Sequence, residues 1–262
     1  MRFLVLGDGL LGLNAAQVLA ERGHQVRTLT HAELDLLKPV PREALAGADV
    51  VVNCMALTNP DVCEERAADA QRVNVDAAGE IAAATRAGGA RLVHISTDYV
   101  LDPVSVYART KAEGEKAVLK HDPHAAILRV STTFGPHPRR KDFVKFVTGT
   151  LKEKGEVTVL DDMWSSPTYA REGARFIAEA GERKLEGIVH VANAQSVSRW
   201  DLAVAAQKAF GLPGVVHRSK FKDFKWKAPR AQDTRMPWDM PAWFHPMTLD
   251  ACLADYAKRE KA

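Results

Sequence analysis

The chain has 262 residues, enough to bury a substantial core in one large domain or in a principal domain with a smaller one appended. Hydrophobic residues make up 46% and charged residues 26%, which is ordinary for a globular protein in water. The net charge of +3 is too small to indicate nucleic acid, and no apolar stretch approaches the length of a membrane span. Three cysteines and nine histidines without metal-type spacing favour a reduced, cytoplasmic protein without a metal site.

Strands and helices alternate along the first half of the chain. Apolar runs predict strands over residues 3–6, 25–30, 49–54, 91–96 and 125–130. Helical spacing predicts helices over residues 10–22, 64–87, with a bend near Asn74, and 106–120. This alternation is typical of parallel strands covered by helices on both faces. The sequence therefore predicts an α/β fold with a Rossmann-like, doubly wound parallel sheet.

The alternation of strands and helices becomes less regular after about residue 135. Helices are predicted over residues 143–153, 172–180 and 199–210, and a strand over residues 187–192. The tail from Lys220 onward is rich in proline, tryptophan and charge, and the prolines break any long element. We therefore expect an NAD(P)-binding domain over residues 1–155. A smaller substrate-binding lobe follows over residues 156–262, with some of its elements returning to the sheet.

The first strand ends in the glycine-rich run Gly7-Asp8-Gly9-Leu10-Leu11-Gly12, and a helix follows. In a dinucleotide-binding turn, Gly7 permits the tight turn and Gly9 lets the backbone approach a pyrophosphate. Gly12 then lets the helix pack closely on the strand, while the helix N-terminus faces the phosphates. The alternative is a glycine-rich turn without a ligand. The strand before it and the helix after it favour a bound dinucleotide.

The end of the second strand bears on the choice between NAD and NADP. NAD specificity usually shows as an acidic residue here, but the segment Arg27-Thr28-Leu29-Thr30-His31 has none before Glu33. Thr30, His31 and Arg27 could receive a phosphate, which favours NADP and leaves NAD as the alternative. On a simpler interpretation, His31 only begins a surface loop.

Three side chains after the fourth strand can move a proton. Tyr107 and Lys111 lie four residues apart on a predicted helix, so both project from one face. An ammonium beside a phenol stabilises the phenolate and lowers the pKa of the tyrosine. Tyr107 could then protonate the oxygen of a carbonyl that receives a hydride. Thr97, at the carboxyl end of the fourth strand, would hydrogen-bond the same oxygen.

Several segments beyond these residues resemble the extended short-chain dehydrogenase/reductases, and more narrowly the dTDP-4-dehydrorhamnose reductase family. The similar segments are Val51–Thr58 (VVNCMALT), Val73-Asn74, Leu92–Val100 (LVHISTDYV) and Asp161–Thr168 (DDMWSSPT). The resemblance implies that Thr97, Tyr107 and Lys111 are catalytic. It places Asn53, Ala56, Asn74 and Ser96 near the cofactor, and Tyr99, Thr132 and Arg230 near the substrate. The implied reaction is reduction of a 4-keto group on a nucleotide-linked deoxysugar by NADPH or NADH.

Three departures from the family pattern bear on the substrate. The glycine turn is one residue tighter than the family's, and the segment from Tyr99 to Tyr107 is much shorter. Thr132 stands where the family has a pocket tryptophan. These three departures affect sugar specificity more than cofactor chemistry.

Basic and aromatic residues alternate over 217–230, which suits either a solvent-exposed edge or the binding of a substrate diphosphate.

Two other functions stay open. A nucleotide-sugar epimerase or dehydratase would use the same tyrosine and lysine but retain NAD tightly. A non-catalytic, NADP-binding regulatory subunit, like the beta subunit of methionine adenosyltransferase, is also similar to this family. In each case the partners expected are small molecules rather than nucleic acid or membrane, and a homodimer stays open.

Overall fold

The computed structural model describes residues 1–260, which contain eleven strands and nine α-helices. The strands are β1 (Arg2–Leu6), β2 (Gln25–Leu29), β3 (Val50–Asn53), β4 (Arg91–Thr97), β5 (Ala126–Val130), β6 (Glu156–Leu160), β7 (Trp164–Ser165), β8 (Gly187–His190), β9 (Val197–Ser198), β10 (Val215–Ser219) and β11 (Asp233–Thr234). The helices are α1 (Leu10–Glu21), α2 (Pro60–Glu65), α3 (Ala67–Gln71), α4 (Ala77–Ala87), α5 (Val106–His121), α6 (Phe143–Lys154), α7 (Ala170–Arg183), α8 (Arg199–Phe210) and α9 (Leu249–Arg259). Within residues 1–260, no helix is long and apolar enough to cross a bilayer.

A six-stranded sheet in the order β2-β1-β3-β4-β5-β8 forms the centre of the fold. Every neighbouring pair in it is parallel. The direction of strand succession reverses between β1 and β3, so a crevice opens there at the carboxyl ends of the strands. Ligands of open α/β sheets bind in such crevices. The predicted doubly wound, Rossmann-like sheet is confirmed.

Alternate residues of each central strand face opposite sides, and each side is apolar. Phe3 and Val5 pack in one buried cluster with residues of α1 and α7. Leu4 and Leu6 pack in a second cluster with residues of α4 and α5. Both faces of β1 are therefore buried, as a parallel sheet covered by helices on both sides requires.

The helix predicted over 64–87 is not continuous: Arg66 leaves the helical region between α2 and α3, and the predicted bend at Asn74 falls in a π-helical turn. A π-helical turn over Arg72–Asp76 joins α3 to α4, and Asn74 is buried within it. A Cβ at Gly114 of α5 would overlap the carbonyl oxygen of Asn74, so the absence of a side chain there lets the two elements approach closely.

Elements after residue 155 lie both within the central sheet and outside it. Strand β8 pairs with β5 in the central sheet, and α7 packs on α1. Strands β6 and β10 form a separate parallel pair, which sequence analysis missed. It also missed α9, which begins after the last proline and buries Tyr256. The division of the chain near residue 155 stays a prediction.

Candidate active site

The glycine turn between β1 and α1 has the geometry that its three glycines predict. Gly7 has a φ of 100°, a region that favours glycine. A Cβ at Gly12 would overlap the carbonyl oxygen of Gly7, so the helix and the strand touch there. A Cβ at Gly9 would meet no atom within 4 Å. The turn thus leaves open space beside Gly9 at the N-terminus of α1, as a pyrophosphate needs.

A cavity of about 780 Å³ extends from this turn to the predicted catalytic residues. Of the predicted cofactor residues, Gly7, Gly9, Leu10, Leu11, Gly12, His31, Ala56 and Ser96 line it. Thr97, Tyr107, Lys111, Tyr99 and Thr132 line it as well. The fold therefore brings the predicted dinucleotide turn and the predicted catalytic side chains to one crevice, at the carboxyl ends of β1, β3 and β4.

The side chains at the end of β2 are arranged differently from the phosphate site that the sequence predicts. The backbone N–H and hydroxyl of Thr30 each donate to Glu33 Oε2 at 2.8 Å, and these bonds lower the pKa of Glu33. The guanidinium of Arg27 donates to the carbonyl of Ala44 at 2.7 Å and does not line the cavity. His31 alone of the three side chains predicted to receive a phosphate lines the cavity.

Asp8 lies outside the cavity lining and binds a segment that follows β5. Its Oδ2 pairs with Arg139 at 2.9 Å, and its carbonyl oxygen lies 3.0 Å from His137 Nε2. The same segment brings Arg140 and Lys141 to the cavity wall. Sequence analysis missed these two cations, because only the tertiary fold places them beside the glycine turn.

Asn53 and Asn74, two predicted cofactor residues, are buried and bond the backbone of the cavity wall rather than lining the cavity. The Asn53 Oδ1 accepts from the backbone N–H of Met55 at 3.1 Å. The Asn74 amide bonds both polar backbone atoms of Leu57, at 2.9 and 3.1 Å, and Leu57 lines the cavity. Both asparagines thus shape the loop after β3.

Tyr107 and Thr97 lie together at the floor of the cavity. The Thr97 hydroxyl donates to Asp98 Oδ1 at 2.9 Å, and Thr97 acts to lower the pKa of Tyr107. Asp98 is buried, and its Oδ2 accepts from Ser131 at 2.5 Å. Burial raises the pKa of Asp98, and these hydroxyl bonds oppose the shift. Tyr99 packs edge-on against Tyr107, with ring centroids 5.8 Å apart.

Lys111 occupies a buried position on the same helix. Its Nζ donates to the carbonyl of Ile95 at 2.8 Å and lies 3.4 Å from His94 Nε2. Burial lowers the pKa of Lys111 to about 8, with the Glu115 carboxylate opposing the shift. His94 is also bonded to Asn53, and burial and Lys111 lower the pKa of its imidazole. Sequence analysis missed this neutral histidine behind the lysine.

The expected lowering of the Tyr107 pKa by Lys111 is not found in this structure. Burial instead raises the pKa of Tyr107, and Thr97 is the group that opposes this rise most strongly. The Lys111 ammonium donates to the Ile95 carbonyl rather than to the Tyr107 hydroxyl. The free protein therefore holds Tyr107 as a protonated phenol, which is the form that a proton donor requires.

Comparisons with known proteins show the family of this chain. Residues 1–242 match the family model described as the RmlD substrate binding domain. A dTDP-4-dehydrorhamnose reductase of Mycobacterium tuberculosis is 33% identical over 252 residues, which cover 88% of this chain and 83% of the relative. The chain belongs to the dTDP-4-dehydrorhamnose reductase (RmlD) family. Methionine adenosyltransferase 2 subunit beta of Danio rerio is 33% identical over 184 residues, covering 63% of this chain and 56% of that protein.

Solved structures of the reductase family share the fold along the whole chain. The RfbD ortholog from Clostridium acetobutylicum has a TM-score of 0.92 at 26% identity, with 100% of both chains covered. The dTDP-4-dehydrorhamnose reductase of Bacillus anthracis, solved in complex with NADP, has a TM-score of 0.91 at 23% identity. That comparison covers 98% of this chain and 99% of the other.

The predicted substrate residues of this RmlD-family chain divide into two groups. Tyr99 and Thr132 line the cavity, and Thr132 has an unusual φ of 37° while its hydroxyl donates to Ser165 Oγ at 3.0 Å. Arg230 does not line the cavity, because its guanidinium pairs with Asp61 at 2.9 Å and donates to a nearby carbonyl. Arg199, which sequence analysis missed, lines the cavity instead.

Proposed function

We propose that this chain is an NADPH-dependent reductase of a 4-keto group on a nucleotide-linked deoxysugar. The observation that carries the proposal is the shared cavity, which joins the glycine turn to Thr97, Tyr107 and Lys111. A volume of about 780 Å³ is within the range of small-molecule sites. The reductase names carried by the relatives support the same reaction.

The residues around the turn fit a dinucleotide. The space beside Gly9 and the N–H groups at the start of α1 suit a pyrophosphate, with Arg140 and Lys141 nearby for its charge. His31 would lie at the adenosine end. NADP is bound in the Bacillus anthracis relative, and it is the cofactor that we propose here, with NAD as the alternative. When bound, the nicotinamide supplies the hydride.

Tyr107 supplies the proton in the proposed reaction. As the carbonyl carbon gains a hydride, its oxygen takes the Tyr107 proton and becomes a hydroxyl, leaving a phenolate. Because burial raises the pKa of Tyr107, the proton is present at neutral pH, but the phenolate needs a compensating charge. Lys111 is the buried cation on the same helix face that can provide it. Thr97 aligns the tyrosine through its hydroxyl, and Asp98 orients that hydroxyl.

A non-catalytic, NADP-binding subunit is the second candidate, since the Danio rerio protein is a relative. Turnover separates the two functions, because both would bind the dinucleotide. The homodimer and the cytoplasmic location stay predictions of the sequence, and so do the roles of the individual site residues.

The test is the loss of NADPH absorbance with a dTDP-4-keto-6-deoxy-L-sugar. Wild-type protein should turn over, and Tyr107→Phe should lose at least about 100-fold in kcat, because the proton donor contributes roughly that much. Tyr99→Phe is the comparison variant: it removes a neighbouring phenol but leaves the proton donor, so kcat should be largely kept and any loss should fall on KM, because Tyr99 is a predicted substrate residue. NADPH binding without turnover in the wild type would favour the regulatory subunit. Equal turnover by Tyr107→Phe would reject Tyr107 as the donor.

A further inference from the structure

Arg199 is the first residue of α8, and the fold directs it into the substrate end of the cavity. Its backbone N–H donates to the carbonyl of Met163 at 3.0 Å, which fixes the start of the helix beside β7. Its guanidinium carbon lies 5.0 Å from the centroid of the Phe143 ring. The side chain lines the same cavity as Tyr99 and Asp98.

Among residues 1–260, the guanidinium of Arg199 forms no ion pair within 4.0 Å and no side-chain hydrogen bond, and it lies over the Phe143 ring. Asp98 and Tyr99 act on it only through longer-range charge, and burial lowers its pKa. Arg199 is partly exposed at the cavity wall, so its five N–H donors can turn to a ligand without first breaking a contact within the protein. An arginine held in that state at a cavity wall is suited to an oxyanion brought by a ligand.

The other cations of the cavity lining come from other segments of the chain. Lys111 bonds the Ile95 carbonyl beneath Tyr107, and His31 lies near the end of β2. Arg140 and Lys141 extend from the segment that binds Asp8 at the dinucleotide turn. Arg199 is therefore the one arginine of the described lining that adjoins the Asp98-Tyr99 end.

Arg230 cannot take this role without breaking its present contacts. Its guanidinium has a carboxylate partner in Asp61, a carbonyl acceptor in Ala228 and a ring contact with Trp226. Its side chain is 11% exposed. Arg199 and Arg230 thus differ in what a ligand would gain from them. Binding an oxyanion at Arg199 breaks no ion pair among residues 1–260, whereas binding at Arg230 first breaks its pair with Asp61.

We propose that Arg199 binds an oxyanion of the substrate in the cavity, in place of Arg230. This inference rests on the proposed function, because it assumes a nucleotide-sugar ligand. The oxyanion is either the diphosphate of the nucleotide or a carboxylate on the sugar. Both present paired oxygens to the planar guanidinium fork.

The test measures equilibrium binding to the NADP-loaded protein, so it needs no turnover. Thymidine, dTDP, dTDP-glucose and dTDP-glucuronate are titrated against wild type, Arg199→Gln and Arg199→Lys. If Arg199 binds the diphosphate, Arg199→Gln should weaken dTDP by about 10- to 150-fold and leave thymidine unchanged. If it binds a sugar carboxylate, only the affinity for dTDP-glucuronate should fall by that factor. The affinity of Arg199→Lys should lie between those of wild type and Arg199→Gln, because lysine keeps the positive charge but lacks the planar guanidinium fork.

Arg42→Gln is the matched control, because Arg42 is exposed and lies outside the cavity lining. Its affinities and Tm should stay at wild-type values. If wild type binds the dTDP compounds and Arg199→Gln binds each equally well, the Arg199 proposal is overturned while the reductase proposal stands. If wild type binds none of them, the proposed function fails, and the role of Arg199 falls with it. A parallel loss of thymidine affinity and Tm in Arg199→Gln would also overturn the proposal, because it would show a structural role.

Discussion

Replacing Gly9 with alanine should separate cofactor binding from folding. Gly9 has a φ of −69° and a ψ of −176°, which alanine adopts without strain, and its Cβ would meet no atom within 4 Å. Restricting the unfolded chain should stabilise the protein by about 0.4–1 kcal/mol. Exchanging glycine for alanine at the N-cap of α1 should cost up to about 1 kcal/mol. The two effects offset each other, so the free energy of unfolding should change by less than about 1 kcal/mol.

The affinity for NADPH should respond differently. The added methyl group occupies the open space beside the turn, which the proposal assigns to the pyrophosphate. A hydrogen bond to a charged group contributes about 1.5–3 kcal/mol, so losing one weakens binding by about 10- to 150-fold. The assay is titration of NADPH fluorescence beside thermal unfolding without cofactor.

Gly12→Ala is the contrasting variant, because its Cβ would overlap the Gly7 carbonyl oxygen within the protein itself. Relieving that overlap requires α1 to shift, which should cost about 1–3 kcal/mol of stability. Gly9→Ala should therefore bind NADPH more weakly at a nearly constant Tm, while Gly12→Ala should unfold at a lower Tm. Unchanged NADPH affinity in Gly9→Ala, or a Tm loss equal to that of Gly12→Ala, would refute the reasoning.

Three further predictions concern charge and helix propensity. With the Lys111 pKa at about 8, kcat/KM should fall as pH rises through that value, because the ammonium is lost, and Lys111→Arg should show no such inflection. Arg129→Met should cost about 3–5 kcal/mol in urea unfolding, since it strands the buried Glu115 carboxylate that Arg129 pairs with at 2.7 Å; a loss below about 1 kcal/mol would contradict this. Gly149→Ala, at an open position inside α6, should raise stability by about 1 kcal/mol and Tm by about 2–4 °C, and a lower Tm would count against it.

Local signals in the sequence determined most elements and the outline of the site. The predicted bounds of the helix over 199–210 are those of α8, and the predicted bend at Asn74 is a π-helical turn. The order of strand, glycine turn and helix placed Gly7, Gly9 and Gly12, and the spacing of four residues put Tyr107 and Lys111 on one face of α5. These features depend on residues close together in the chain, so propensity and periodicity are enough to predict them.

Only the tertiary structure decided which side chains have partners. Arg230 is bound to Asp61, 169 residues away, while Arg199 at the cavity wall has no ion pair among the described residues 1–260. Lys111 meets His94 and the Ile95 carbonyl because α5 packs on β4, and Arg139 reaches Asp8 from beyond β5. Composition and spacing cannot distinguish a paired arginine from an unpaired one, since the neighbours come from distant segments. Burial and pairing set the charge and pKa of each group, so the chemistry of the site depends on how the elements pack.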